Sequence, residues 1–247
     1  MRKKQQKQPK QQKRSILDAT NRILPENHTH MGFKNKLKPK TKNQHDYIRN
    51  IAENDITFCQ GVAGSGKTHI AIGMALEYLL DEKVDRIIVT RPVVESGEKI
   101  GYLPGTAEEK LHPYLLPILD EINYFIPMAQ YASLKINNKI EIVPLGLMRG
   151  RNFHKCFIVA DECQNASYDQ LKMLLTRLGN ESKMVLTGDI SQSDLQQYMR
   201  GGFNLMMSTL SDIEGIAMSH LDLSDIIRNP IISKILQRLE HYESTEK

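Results

Sequence analysis

Cysteine is scarce in this 247-residue chain: only Cys59, Cys156 and Cys163 occur, with no CxxC pair among them. An odd, dispersed set excludes a disulfide framework and a cysteine zinc site, and suits reduced, buried thiols in a cytoplasmic compartment. Long apolar runs are missing too. No stretch approaches the roughly 18 uninterrupted apolar residues that a membrane-spanning helix needs, and none follows the basic N-terminus, so neither a membrane protein nor a secretory leader is expected. Acidic residues are absent from residues 1–14, which hold seven Lys or Arg and five Gln. Nothing apolar there offsets the entropy of ordering, so a mobile arm is expected. No repeat is visible and no Ser-His-Asp arrangement can be assembled. His28 and His30 show no convergent acid or cysteine set to complete a metal site, so surface histidines are expected.

What is present divides unevenly. The formal charge is +4, but residues 1–42 contain 13 basic side chains against Asp18 and Glu26, a balance of +11. The remaining 205 residues hold 20 basic and 27 acidic side chains, a balance of −7. A basic arm (1–42) and an acidic body (43–247) are expected. With 40% hydrophobic residues, the body has enough apolar surface for one well-buried core.

From Asn43 onward, apolar runs alternate with helix-like stretches, the pattern of a parallel α/β sheet. Strands are expected at Ile56–Gln60, Arg86–Thr90, Ile140–Val143, Cys156–Ala160, Lys183–Thr187 and near Ile216–Ser219. Helices are expected at about 43–53, from Lys67 to about Leu80, over about 106–125 (interrupted by Pro113 and Pro117), from about Tyr168 to Leu178, and from about Pro230. The fold class is α/β, a three-layer α/β/α arrangement around a mostly parallel sheet.

Gly61-Val62-Ala63-Gly64-Ser65-Gly66-Lys67-Thr68 matches G-x-x-x-x-G-K-[ST] at every fixed position, with an apolar strand before it and an amphipathic helix after it. Glycines let backbone N–H groups turn inward around a phosphate where a side chain would collide. The helix N-terminus adds partial positive charge at the same point. Lys67 is expected to bridge the β- and γ-phosphates of ATP, and the Thr68 hydroxyl to ligate Mg²⁺. His69, next in the helix, is counted with the nucleotide-binding set.

The strand Cys156–Ala160 ends in Asp161-Glu162. Acids at the C-terminal end of a buried parallel strand face the ligand crevice. Asp161 fits the role of holding Mg²⁺, and Glu162 that of polarising an attacking water. The strand at Lys183–Thr187 ends in Gly188-Asp189, with Gln192 shortly after. Two readings fit those residues: a sensor of the γ-phosphate, in which Gln192 is catalytic and Asp189 contacts nucleotide, or an ordinary turn capped by Asp189.

The phosphate loop, VTRPVVESGEKIGYLPG (Val89–Gly105), GLMRGRNF (Gly146–Phe153), DECQNAS (Asp161–Ser167) and LTGDISQSDL (Leu186–Leu195) occur in the order seen in PhoH-like proteins. The resemblance runs from about Asn43 to the Arg228 region. It implies a P-loop ATPase whose core is similar to the first RecA-like domain of superfamily 1 helicases. It also implies that Gln44 is similar to the adenine-reading glutamine of such helicases, against an exposed residue at a helix start, and that Arg228 is either a finger reaching a neighbouring subunit's γ-phosphate or a surface arginine. Arg91, Arg149 and Arg151 are further candidates, facing nucleic acid or a subunit interface. Cys163 stands where the family often has alanine. The fused nuclease-type domain of some relatives is not expected, so ribonuclease activity is not carried over.

A second RecA-like domain does not fit in the residues after this core, so closing the site would call for another protomer: a homo-oligomer, up to a hexameric ring. The arm is the candidate for RNA or single-stranded nucleic acid, against a solubility tail or a segment that pairs with the acidic body. Three function classes stand beside one another. They are an ATP-hydrolysing motor or switch acting on nucleic acid, a nucleotide-dependent oligomeric binding module with little turnover, and a small-molecule phosphotransferase.

Overall fold

The computed structural model describes residues 32–92, 107–195 and 200–226, together with Ile231, Lys234, Ile235, Arg238, Leu239 and Tyr242; of residues 107–112 only the backbone is described. Met1–Gly32 and Phe33–Lys247 separate as two units, and the sheet belongs to the second. The body begins at Phe33 rather than at Asn43. Residues 33–42, counted with the arm on charge alone, hold Phe33 and Leu37 against the core.

Six strands form one sheet in the order β3-β2-β4-β5-β1-β6: β1 (Ile56–Gly61), β2 (Arg86–Arg91), β3 (Ile140–Pro144), β4 (Cys156–Ala160), β5 (Lys183–Gly188) and β6 (Ile216–Leu221). Every pairing is parallel, so the sheet is wholly parallel where a mostly parallel one was expected. Parallel strands covered on both faces carry apolar residues at every position, and β4 is buried throughout. Its alternation splits the core. Phe157 and Val159 join the cluster beneath α1 (Lys42–Glu53), α2 (Lys67–Leu80), α3 (Ala107–Phe125) and α4 (Met128–Ile136). Cys156, Ile158 and Ala160 join the cluster beneath α5 (Tyr168–Leu175) and α6 (Gly202–Leu210). These are the three layers of an α/β/α fold.

Two helices escaped the sequence reading. One, α4, is short and starts after a proline; the other, α6, starts at Gly201-Gly202, where glycines argue locally for a turn. Packing against the sheet overrides that propensity. Conversely, Pro113 and Pro117 lie inside the single helix α3, which the sequence suggested was interrupted. Helix α1 begins on Thr41, whose side chain accepts from the Gln44 N–H. At its other end the Lys183 ammonium donates to the carbonyls of Ala52 (3.0 Å) and Asn54 (2.7 Å), the favourable place for a cation on a helix. Of the expected terminal helix, the six described residues are helical.

Strand order brings the chemistry together. Strand β5 lies between β1 and β4, so the ends of the phosphate-loop strand and of the acid-bearing strand flank the end of β5. The crevice outside such strand ends is where α/β sheets bind ligands.

Candidate nucleotide site

The loop leaving β1 is held open by its backbone. Gly64 and Gly66 have φ of 81° and 97°, a region costly to side-chain-bearing residues. At Gly61 a Cβ would stand 2.6 Å from the Leu221 carbonyl oxygen of β6, so the β1–β6 pairing itself demands glycine there. Lys67 Nζ folds over the loop and donates to the carbonyls of Gly61 (2.6 Å) and Val62 (2.9 Å). Ser65 Oγ donates to the Val62 carbonyl at 2.8 Å.

Asp161, 3% exposed, accepts two hydroxyl protons on one oxygen: from Thr68 at 2.7 Å and from Thr187 of β5 at 2.6 Å. Residues 93 positions apart thus meet at the first turn of α2. Glu162 follows with φ of 56°, a strained conformation costing about 1–3 kcal/mol that concentrates at functional sites. Its Oε1 lies 3.6 Å from an Arg91 guanidinium nitrogen, and its Oε2 accepts from Gln164 Nε2.

Gln164 is the residue that motif reading missed. Its amide oxygen accepts the Asp189 N–H at 2.9 Å, so one side chain joins Glu162 to the end of β5. Asp189 is itself buried, with Oδ1 accepting from the Ser191 N–H (3.0 Å) and hydroxyl (2.6 Å) while Oδ2 has no partner. Gln192 is exposed, and its N–H donates to the Asp189 carbonyl. Neither Asp189 nor Gln192 lines the cavity. Their contacts are those of the turn-capping alternative, and Gln164 occupies the linking position. Arg228 lies outside the described residues, as do residues 93–106 of the long middle motif.

The cavity measures about 550 Å³, within the usual range for small-ligand sites. Its lining includes Ala63–His69 of the loop and helix, Glu162, Gln44, Asp225 and Tyr124. Gln44 is buried rather than an exposed helix-start residue: its Nε2 donates to the Ser65 and Asp225 carbonyls, and its Oε1 accepts the Lys40 N–H. Asp225 in turn accepts from the Thr41 hydroxyl, Asn43 and the Asp222 N–H. His69 Nδ1 meets Glu121 at 2.7 Å, and its ring packs against Tyr124 and Phe125.

Other polar groups near the site are kept inert. Burial pushes the Cys59 thiol up to about 12, against a smaller opposing pull from Lys67. Burial likewise raises Cys163, helped by Asp161 and Glu162. Neutral, buried thiols are poor nucleophiles. Of the arginines considered, Arg151 is engaged structurally. It forms a two-pronged pair with Glu141 at 2.6 Å on each arm and stacks over Phe153. Among the described residues no group of three His, Cys, Asp or Glu could hold a metal ion, and no helix is long and apolar enough to cross a membrane.

The chain is 44% identical over 209 residues to a PhoH-like protein of Synechocystis sp., covering 85% of this chain and 64% of that one. It is 40% identical over 201 residues to the Bacillus subtilis PhoH-like protein, covering 81% of this chain and 63% of that one. It therefore spans less than two thirds of these relatives. Among solved structures, the large terminase of a thermophilic bacteriophage superposes with a TM-score of 0.54 at 12% identity, over 81% of this chain and 50% of that one; this likeness concerns the fold. The description "PhoH-like protein" matches residues 36–240. The chain belongs to the PhoH-like protein family.

Proposed function

We infer that this protein binds ATP with Mg²⁺ and hydrolyses it by in-line attack of water on the γ-phosphate, in a reaction coupled to RNA or another single-stranded nucleic acid. The observation that carries the reading is the Thr68–Asp161 contact at the foot of the phosphate loop. A hydroxyl and a carboxylate oxygen form a hard donor set suited to Mg²⁺, and the partnerless Oδ2 of Asp189 lies one strand end away. Thr68 and Asp161 are the residues that would hold the ion. Bound there, Mg²⁺ supplies neutralisation of the charge on the transferring phosphoryl group.

The chain's own residues supply the rest. Lys67 exchanges its two loop carbonyls for the β- and γ-phosphates, and the N-terminus of α2 that follows the loop would add partial positive charge for the same anion. Glu162 orients and polarises the attacking water, and Gln164 and Arg91 fix where its carboxylate sits. Gln44 lines the same cavity as His69 and Tyr124 and would meet the base. A second copy of the chain, in a homo-oligomer up to a hexameric ring, would cover the open side, with Arg228 as the candidate finger. The basic N-terminal residues supply the nucleic-acid coupling through phosphate contacts.

Phosphate release from ATP, measured with and without Mg²⁺ and with and without single-stranded RNA at two salt concentrations, tests the reading. Mg²⁺-dependent release that RNA stimulates more at low salt is expected. Absence of Mg²⁺-dependent release would overturn the hydrolytic reading; release indifferent to RNA would overturn the coupling.

A further inference from the structure

The residues that lead into α1 alternate without a break. Phe33, Asn35, Leu37 and Pro39 are half-buried, while Lys34, Lys36, Lys38 and Lys40 are exposed. The inward side fastens the segment. Phe33 packs edge-on against Phe125 with ring centres 6.4 Å apart, and the Lys34 N–H donates to the Phe125 carbonyl at 2.7 Å. Asn35 Nδ2 donates to the Tyr124 carbonyl at 2.7 Å, and Leu37 packs on the core beside Gly73. At the far end the Lys40 N–H donates to Gln44 Oε1. These four lysines are therefore held on the folded body.

Their charges are unspent. None of the four forms an ion pair among the described residues. Glu77 feels Lys36, but burial dominates and raises its carboxyl. Two residues of chain reach at most about 7 Å, a step comparable to the separation of successive phosphates along an extended single strand. The row has a direction as well: Lys38 and Lys40 line the nucleotide cavity, with Lys34 and Lys36 leading away from it.

We propose that Lys34, Lys36, Lys38 and Lys40 form a fixed rail for the phosphate backbone of single-stranded nucleic acid, whose inner end shares two cations with the nucleotide cavity. The proposal rests on the nucleotide and nucleic-acid readings above, and moves the strand contact from the arm to the body. The outward face carries no aromatic side chain, so binding is to backbone and independent of sequence. Because a bound nucleotide fills the cavity that Lys38 and Lys40 line, ATP weakens the grip on the strand, and the strand weakens ATP by the same factor.

The test uses fluorescence anisotropy of a labelled oligouridylate against salt on full-length proteins: the natural chain, K34Q/K36Q, K38Q/K40Q, all four changes together, and a chain whose eight basic residues within 1–31 are glutamine. Four single-strand phosphate contacts contribute about −2.8 to the slope of log affinity against log salt. The fourfold variant should lose about that much and each pair about half, with unchanged melting curves. A non-hydrolysable ATP analogue should weaken strand binding in the natural chain and in K34Q/K36Q, but not in K38Q/K40Q. A fourfold variant that binds RNA with the natural slope, while the arm variant does not, overturns the rail and leaves the nucleic-acid reading standing. A natural chain that binds no RNA even at low salt overturns both. If K38Q/K40Q alters only ATP affinity, the two lysines serve the nucleotide and the strand assignment fails.

Discussion

Two regions of the sheet carry motifs of similar texture, rich in glycine and basic residues, and the structure separates them. At the end of β1, β4 and β5, polar groups converge with capacity to spare. Lys67 is held by two carbonyls that it can exchange, Asp161 collects two hydroxyls on one oxygen, and Asp189 keeps one oxygen without a partner. At the edge strand β3, Arg151 is consumed: both arms of its guanidinium meet Glu141 and its plane covers Phe153. Satisfied polar groups hold a scaffold together, whereas under-satisfied or strained ones indicate chemistry. Residue type does not distinguish them; the state of their hydrogen bonds does.

If that distinction is right, the largest effect comes from Glu162, strained and held by donors on both carboxylate oxygens. Glu162→Gln keeps the shape and removes the base, so phosphate release should slow by about 10²- to 10⁴-fold while nucleotide affinity is kept. Single-turnover release and equilibrium nucleotide binding check the two halves; a wild-type rate would refute the assignment. Next stands Gly61→Ala. Its Cβ would meet a backbone carbonyl at 2.6 Å, and backbone cannot swing aside, so a loss of about 3 kcal/mol, the upper end of the overpacking range, is expected in denaturant unfolding. A variant as stable as the natural chain would show that β1 and β6 can separate at no cost.

How much of this was legible in sequence differs in the same way. The shape of the phosphate loop was readable because it is local: eight consecutive residues, a strand before and a helix after carry the whole geometry. Asp161-Glu162 was legible as a crevice pair only because a phosphate loop precedes it; after an apolar strand alone, two acids read as readily as a solvated loop or a helix cap. Most strands fell within a residue or two of the expected ends, since Ile-Ile-Val and Phe-Ile-Val runs leave little choice. Gln164 was not readable. Its role exists only because β4 and β5 are neighbours, and nothing in DECQNAS states which strand lies alongside. The start of the body is hard to read from sequence for a related reason. Charge alone counted Lys34 to Lys42 with the arm, whereas the fastening residues are the uncharged ones between, Phe33, Asn35 and Leu37.

Gln164→Ala sharpens the comparison further. It frees the Glu162 carboxylate and leaves the buried Asp189 N–H without its acceptor, which should cost about 1–2 kcal/mol of stability. The catalytic consequence separates a positioning role from a packing role. If Gln164 positions Glu162, phosphate release should fall by about tenfold with nucleotide affinity unchanged, since about 1.4 kcal/mol of misplacement is one factor of ten. A variant that is less stable but fully active would assign Gln164 to packing alone.

The smallest effect belongs to the scaffold side, and its smallness is the point. The Arg151–Glu141 pair is partly exposed, with side chains 30% and 38% accessible, so screening limits it, and its geometry adds only the stacking over Phe153. Arg151→Met, which keeps apolar cover on the ring, should lose about 1 kcal/mol or less and leave ATP hydrolysis unaltered. Its pH dependence has a defined sign. The Arg151 hydrogen bonds hold the Glu141 carboxyl below its ordinary 4.5, so this contribution is complete above that value and is lost as pH falls through the lowered folded one. The melting-temperature gap between the natural chain and Arg151→Met should therefore stay level from about pH 7 to about pH 5 and close below the ordinary carboxyl value. A gap that widens in acid would mean that Arg151 faces a group other than Glu141. Slowed hydrolysis by this variant would move β3 from scaffold to site and erase the contrast between the two regions.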